Sequence, residues 1–207
     1  MKKWWWIIVF VAVRLWLAVT FPIFNDEAIY ALWARLISTN FYQGILPVLV
    51  DGKQPGLMVL WSWVVGGGDD PVLMLRLTSI GFGLVTATLI FRMYELIVGK
   101  RIEWWQQLMV ILVPGLVWYE GLGLQESAVM MVGTAITYWC LLRFQKQDWG
   151  MKQGITLGIL LGAGTLIKPT ALLTAGSLIG LGLCTTKKMN KRSILLTLLI
   201  AVSLGGL

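Results

Sequence analysis

Asp26 and Glu27 stand side by side just after the first long apolar run, in the string Phe24-Asn25-Asp26-Glu27-Ala28-Ile29-Tyr30. A carboxylate at a water–lipid boundary can take a proton from an attacking hydroxyl or hold a divalent cation through oxygen. Neighbouring residues of a helix point about 100° apart, so the two acids are not expected to share one duty. A second reading stays open: Asn25-Asp26 also suits a helix N-cap, with Glu27 favourable in the first turn. Downstream, Asp51-Gly52-Lys53-Gln54-Pro55-Gly56 is a turn with a cation in it. It reads either as an ordinary polar loop or as a Lys neutralising a phosphate. Lys168-Pro169 invites the phosphate reading more strongly, because a Lys below the interface needs an anionic partner. Arg76 suits either a carboxylate or a phosphate. Glu126 opens an apolar run, where capping competes with site duty, and Glu120 lies a few residues earlier.

The chain has no histidine. Acid–base chemistry therefore falls to Asp, Glu, Lys or Tyr, and the usual nitrogen ligand for zinc is missing. No resident cofactor is expected beyond a divalent cation on Asp26 and Glu126. The two cysteines, Cys140 and Cys184, lie inside apolar runs and announce no disulfide framework. There is no P-loop, dinucleotide fingerprint or nucleophile elbow.

The elements that must position these groups are those of a membrane protein. Hydrophobic residues make up 57% of the 207, well above a soluble domain. The net charge of +7 is read as basic cytoplasmic loops rather than as a nucleic-acid surface. Apolar runs at about 4–21, 71–98, 104–118, 126–144, 154–167, 170–185 and 193–207 give an all-α integral membrane fold with about seven spans. Basic clusters at Lys2-Lys3, Lys100-Arg101, Lys146/Lys152 and 187–192 fall on one side if residues 22–70 form a long external loop. The N-terminus is then cytoplasmic. Two juxtamembrane helices are expected in that loop, around 27–38 and 57–65. A span at 55–68 is the rival, and it would invert everything after it. Arg14 falls inside the first span and must face protein or snorkel to an interface. Trp4-Trp5-Trp6 and Trp104-Trp105 suit an aromatic belt. Gly154, Gly158 and Gly162, like Gly176 and Gly180, have the spacing of close helix packing in lipid. With this topology Asp26, Glu27, Lys53, Arg76, Glu120, Glu126 and Lys168 gather on the outer face.

Four strings carry a resemblance: Phe24-Asn-Asp-Glu-Ala-Ile-Tyr30, Gly52-Lys-Gln-Pro-Gly-Leu57, Leu75-Arg-Leu-Thr-Ser-Ile-Gly-Phe-Gly83 and Gly164-Thr-Leu-Ile-Lys-Pro-Thr-Ala171. Together they resemble the N-terminal half of the GT-C membrane glycosyltransferases, in particular the dolichyl-phosphate-mannose–protein mannosyltransferases and the bacterial aminoarabinose transferases. The resemblance implies a polyprenyl-phosphate sugar as donor and a lipid, glycan or protein hydroxyl as acceptor, at the outer face of a multi-pass cell membrane. Asp26 would be the base. Lys53 matches the basic residue of a Lys-Pro-Pro-like motif, although Gln54 intervenes before Pro55. Glu126 stands where many relatives carry Asp, and Lys168 matches the Lys of a Thr-Lys-Gly/Pro corner. Relatives continue for several more spans, so the chain is expected to be the N-terminal part of a longer protein. A transporter or lipid-flipping subunit is the rival from another class. It predicts charges spread through the bundle and an internal repeat. A non-catalytic truncated module is the third.

Overall fold

The computed structural model describes residues 4–66, 68–146 and 150–169, together with 197, 199–201 and 203. These residues are helical and, among them, no strand occurs. They fall into two compact units, residues 1–131 and 132–207.

In the first unit, α1 (Trp5–Thr20) ends where Pro22 forces Phe21 into an extended conformation (φ −80°, ψ 135°). After a break of a few residues α2 (Asn25–Thr39) leaves at 90° to α1. Asn40 caps α3 (Phe41–Val50), its side-chain oxygen accepting the Gln43 N–H at 3.2 Å. Gly44 brings α3 onto the backbone of α2 at Ile37, where a Cβ would collide. α4 (Gly56–Val65) also packs on α2, through Leu57, Met58 and Trp61, all fully buried. Residues 22–70 thus carry three helices, one more than expected. α3 escapes sequence reading because it is short, uncharged and holds Pro47 in its interior.

α5 (Pro71–Val98) has clear start and stop signals. The Asp70 side chain accepts the Leu73 N–H at 3.0 Å, Pro71 occupies the first turn, and Gly99 ends the helix in the left-handed region (φ 71°). α6 (Trp104–Ile111) and α7 (Pro114–Gly121) replace the single run expected over 104–118, because Pro114 starts a new helix. An apolar core joins α1, α5 and α6 through Trp6, Phe10, Ala18, Ile80, Ala87, Phe91 and Ile111. Ile8, Trp16, Val19, Leu77, Val85 and Ile97 remain exposed on α1 and α5. Among the described residues, α5 is the one helix long and apolar enough to cross a bilayer unaided. The bent pair α1–α2 passes the same test together.

α8 (Gln125–Lys146) runs from the first unit into the second. The second unit holds α9 (Met151–Ile167) and a core of Ile136, Cys140, Leu157, Leu161 and Ala201. Gly158 does the close packing read from its spacing: a Cβ there would meet the Ile200 Cβ at 2.9 Å. Gly176, Gly180, most of the runs expected at 170–185 and 193–207, and the basic cluster at 187–192 lie outside the described residues.

Candidate functional site

Three groups of charged side chains in the first unit bear on the sequence-predicted site. The first is built at the bend between α1 and α2. Glu27 is 0% exposed and Arg76 4%. A guanidinium has five N–H donors, and all five are engaged. Nε reaches Glu27 Oε1 at 2.8 Å and Nη2 reaches Glu27 Oε2 at 2.6 Å. Nη1 donates to the carbonyls of Ala18 (2.6 Å) and Phe21 (3.0 Å), and Nη2 to that of Pro22 (3.1 Å). Glu27 is equally closed, since its oxygens also accept the N–H groups of Gly123 (2.6 Å) and Phe24 (2.9 Å).

The physical logic is that of helix ends. α1 has no basic residue in its last turn, and Arg76 supplies the cation its last carbonyls lack. Glu27 puts a negative charge in the first turn of α2 and reaches back to the Phe24 N–H, half of a capping box. One ion pair thus staples a 90° bend from both sides. Burial pushes the Glu27 carboxyl up, but the hydrogen bonds from Arg76, Gly123 and Phe24 outweigh it and hold the group below the usual carboxylate range. Arg76 keeps no N–H for a phosphate, and Glu27 keeps no lone pair for a proton in transit. Of the readings left open by the sequence, the structure shows Arg76 paired with a carboxylate and Glu27 in the first turn of α2.

The second group is open to solvent. Asp26, one residue before Glu27, is half-buried and points off the clamp. Tyr30, one turn on, is buried against Trp33 and Trp61 with ring centroids 6.0 Å away. Lys53 Nζ donates to the Tyr30 hydroxyl at 3.0 Å and lies 4.8 Å from its ring centre. Asp51 sits 3.8 Å from the same ammonium, which is 30% exposed. Burial pulls the Lys53 ammonium down, but the Tyr30 hydroxyl and the charges of Asp26 and Asp51 outweigh it and raise it above the ordinary lysine value. Burial pushes the Tyr30 phenol up against the pull of Lys53, and the charges of Asp26 and Glu126 add to the rise. Asp26, Lys53 and Glu126 therefore share one electrostatic neighbourhood centred on Tyr30. The i, i+4 spacing of Asp26 and Tyr30 puts both on one helix face.

The third group lies deeper. Arg14 Nε donates to Glu120 Oε2 at 2.8 Å, Nη2 makes a second contact with the same oxygen, and both residues are buried. The Phe10 ring lies 3.6 Å under the guanidinium. Gly83 makes the room: a Cβ there would come within 2.5 Å of Glu120 Cδ. Arg14 Nη1 and Glu120 Oε1 have no hydrogen-bond partner among the described residues. Glu120, near the end of α7, is thus tied to the first helix.

Lys168 is in the second unit, just past α9, with its N–H on the Gly164 carbonyl at 3.0 Å. Among the described residues no three metal-ligating side chains gather.

A family model described as dolichyl-phosphate-mannose-protein mannosyltransferase matches residues 59–205. Arg76, Glu120, Glu126 and Lys168 fall inside the match; Asp26, Glu27, Tyr30 and Lys53 precede it. No curated protein and no solved structure matches the chain.

Proposed function

This chain belongs to the dolichyl-phosphate-mannose–protein mannosyltransferase family, and from that premise we propose that it carries the donor-and-base half of an inverting sugar transfer at the outer face of a membrane. The family is one of GT-C glycosyltransferases that use polyprenyl-phosphate sugars. Asp26 takes the proton of the acceptor hydroxyl. The oxygen then attacks the anomeric carbon, the carbon–phosphate-oxygen bond breaks, and polyprenyl phosphate leaves. Lys53 meets the charge that develops on that phosphate. Glu126 shares the neighbourhood of Asp26, either through the acceptor or through a divalent cation. The spans run with the N-terminus in the cytoplasm and residues 22–70 outside, about seven in all, as the basic clusters require.

The observation that carries this reading is the division of labour between adjacent acids. Glu27 is locked by four donors, while Asp26 is half-buried and its charge acts on Lys53. The test is transfer from a polyprenyl-phosphate mannose by the full chain in membranes. Asp26→Asn is expected to lower turnover by roughly 10²–10⁴-fold with unchanged thermal stability. Near-normal turnover would remove Asp26 as the base.

A further inference from the structure

The end of α5 remote from Arg76 holds a second feature. Arg92 lies sixteen residues beyond Arg76, or about 24 Å along the helix axis. There a cavity of about 580 Å³ opens between the start of α1, the C-terminal half of α5 and the start of α6. Part of its wall is apolar, from Trp5, Leu84 and Phe91. Its mouth carries both signs of charge. Arg92 and Glu95 are paired at 3.0 Å and neutralise each other. Arg101 and Glu103 also line the mouth, and neither forms an ion pair among the described residues. Both are held on the short connector that follows the left-handed Gly99. Trp4 and Trp104, at the rim, are more than half exposed, as side chains meeting a lipid interface are.

We propose that this cavity binds a zwitterionic aminophospholipid, phosphate on Arg101, primary ammonium on Glu103, and the start of an acyl chain among Trp5, Leu84 and Phe91. A headgroup of one sign satisfies half of the mouth and leaves the other charge facing it. An anionic lipid could seat its phosphate on Arg101 but would bring no ammonium to Glu103, which would stay unpaired. A free phosphate ester would leave the apolar wall of Trp5, Leu84 and Phe91 uncovered, whereas an acyl chain covers it. The site is separate from the sugar-transfer groups and does not depend on their assignment.

The test uses the full chain purified in detergent, titrated with phosphatidylethanolamine or phosphatidylglycerol, with thermal unfolding and retained lipid by mass spectrometry as readouts. Phosphatidylethanolamine is expected to raise the melting temperature and to be retained stoichiometrically, and phosphatidylglycerol to do neither. Arg101→Gln and Glu103→Gln each weaken the binding about tenfold, the worth of one charge-assisted hydrogen bond. Thr88→Trp, which fills the cavity from an exposed wall position, removes retention while leaving the charges in place. Equal stabilisation by both lipids with Glu103→Gln silent overturns the proposal. So does wild-type retention by Thr88→Trp, which tests the site without touching either charge.

Discussion

Arg76–Glu27 and Arg14–Glu120 are the same two residue types, both buried, both joined by more than one contact. They differ in what else they hold. Every donor of Arg76 and every acceptor site of Glu27 is used, and three of the bonds go to carbonyls around the α1–α2 bend. Arg14 and Glu120 hold each other and leave one nitrogen and one oxygen unmatched. Burial alone therefore does not tell a structural keystone from a tolerated pair. The count of backbone groups that depend on the pair does, because the buried ones among them, the Ala18 carbonyl and the Gly123 N–H, would otherwise be orphans.

The largest expected effect tests that count directly. Arg76→Leu strands a buried carboxylate and uncaps α1, and is expected to destabilise by about 3–5 kcal/mol, read by thermal or denaturant unfolding in detergent. Transfer should fall with it, because the bend that presents Asp26 loses its staple. Removing both partners does not rescue the fold: Glu27→Leu with Arg76→Leu still orphans the Ala18, Phe21 and Pro22 carbonyls and the Gly123 and Phe24 N–H groups.

The other pair should behave in the opposite way. Arg14→Met alone leaves Glu120 charged and buried, and costs about 3–5 kcal/mol. Adding Glu120→Leu is expected to return stability to within about 1 kcal/mol of the parent, or above it, since a well-packed apolar pair often replaces a buried ion pair without loss. The two double variants, measured side by side, sharpen the comparison. Equal behaviour would break it.

How much of this was legible in the sequence follows the range of the interactions. The ends of α5 are written locally, in Asp70-Pro71 and Gly99. The exit of α1 is written in Pro22, and the first turn of α2 in Asp26-Glu27. α3 was not legible, being short, uncharged and interrupted by Pro47. The partners of the buried charges were not legible either. Glu27 meets Arg76 across 49 residues and Arg14 meets Glu120 across 106, separations at which no periodicity carries information. So the residues that matter were visible, while their division into clamp and open site was not.

The pH dependence gives a smaller effect with a definite sign. The Glu27 carboxyl lies below its ordinary value when folded. The unfolded chain therefore binds more protons in that range, and stability rises with pH across it. The contribution is present above the unfolded value of about 4.3 and is lost as pH falls through the folded one. Melting temperature should drop on acidification in that window, and the drop should be shallower in Glu27→Gln, which has nothing to titrate there. An equally steep drop in the variant would place the acid sensitivity elsewhere.

The smallest effect concerns the open group, and it separates positioning from packing. Tyr30→Phe keeps the ring against Trp33 and Trp61 and removes only the hydroxyl that holds Lys53. Stability should change by less than about 1 kcal/mol, the net worth of one hydrogen bond to a partly exposed partner. Transfer should still fall, up to about tenfold, because the ammonium is no longer fixed where the leaving phosphate gains charge. The discriminating measurement is a double-mutant cycle with Lys53→Ala. If Tyr30 acts through Lys53, the tyrosine substitution has no further effect on transfer once the lysine is gone. If the two losses add, Tyr30 works on its own account, and the hydrogen bond between them is incidental to the chemistry.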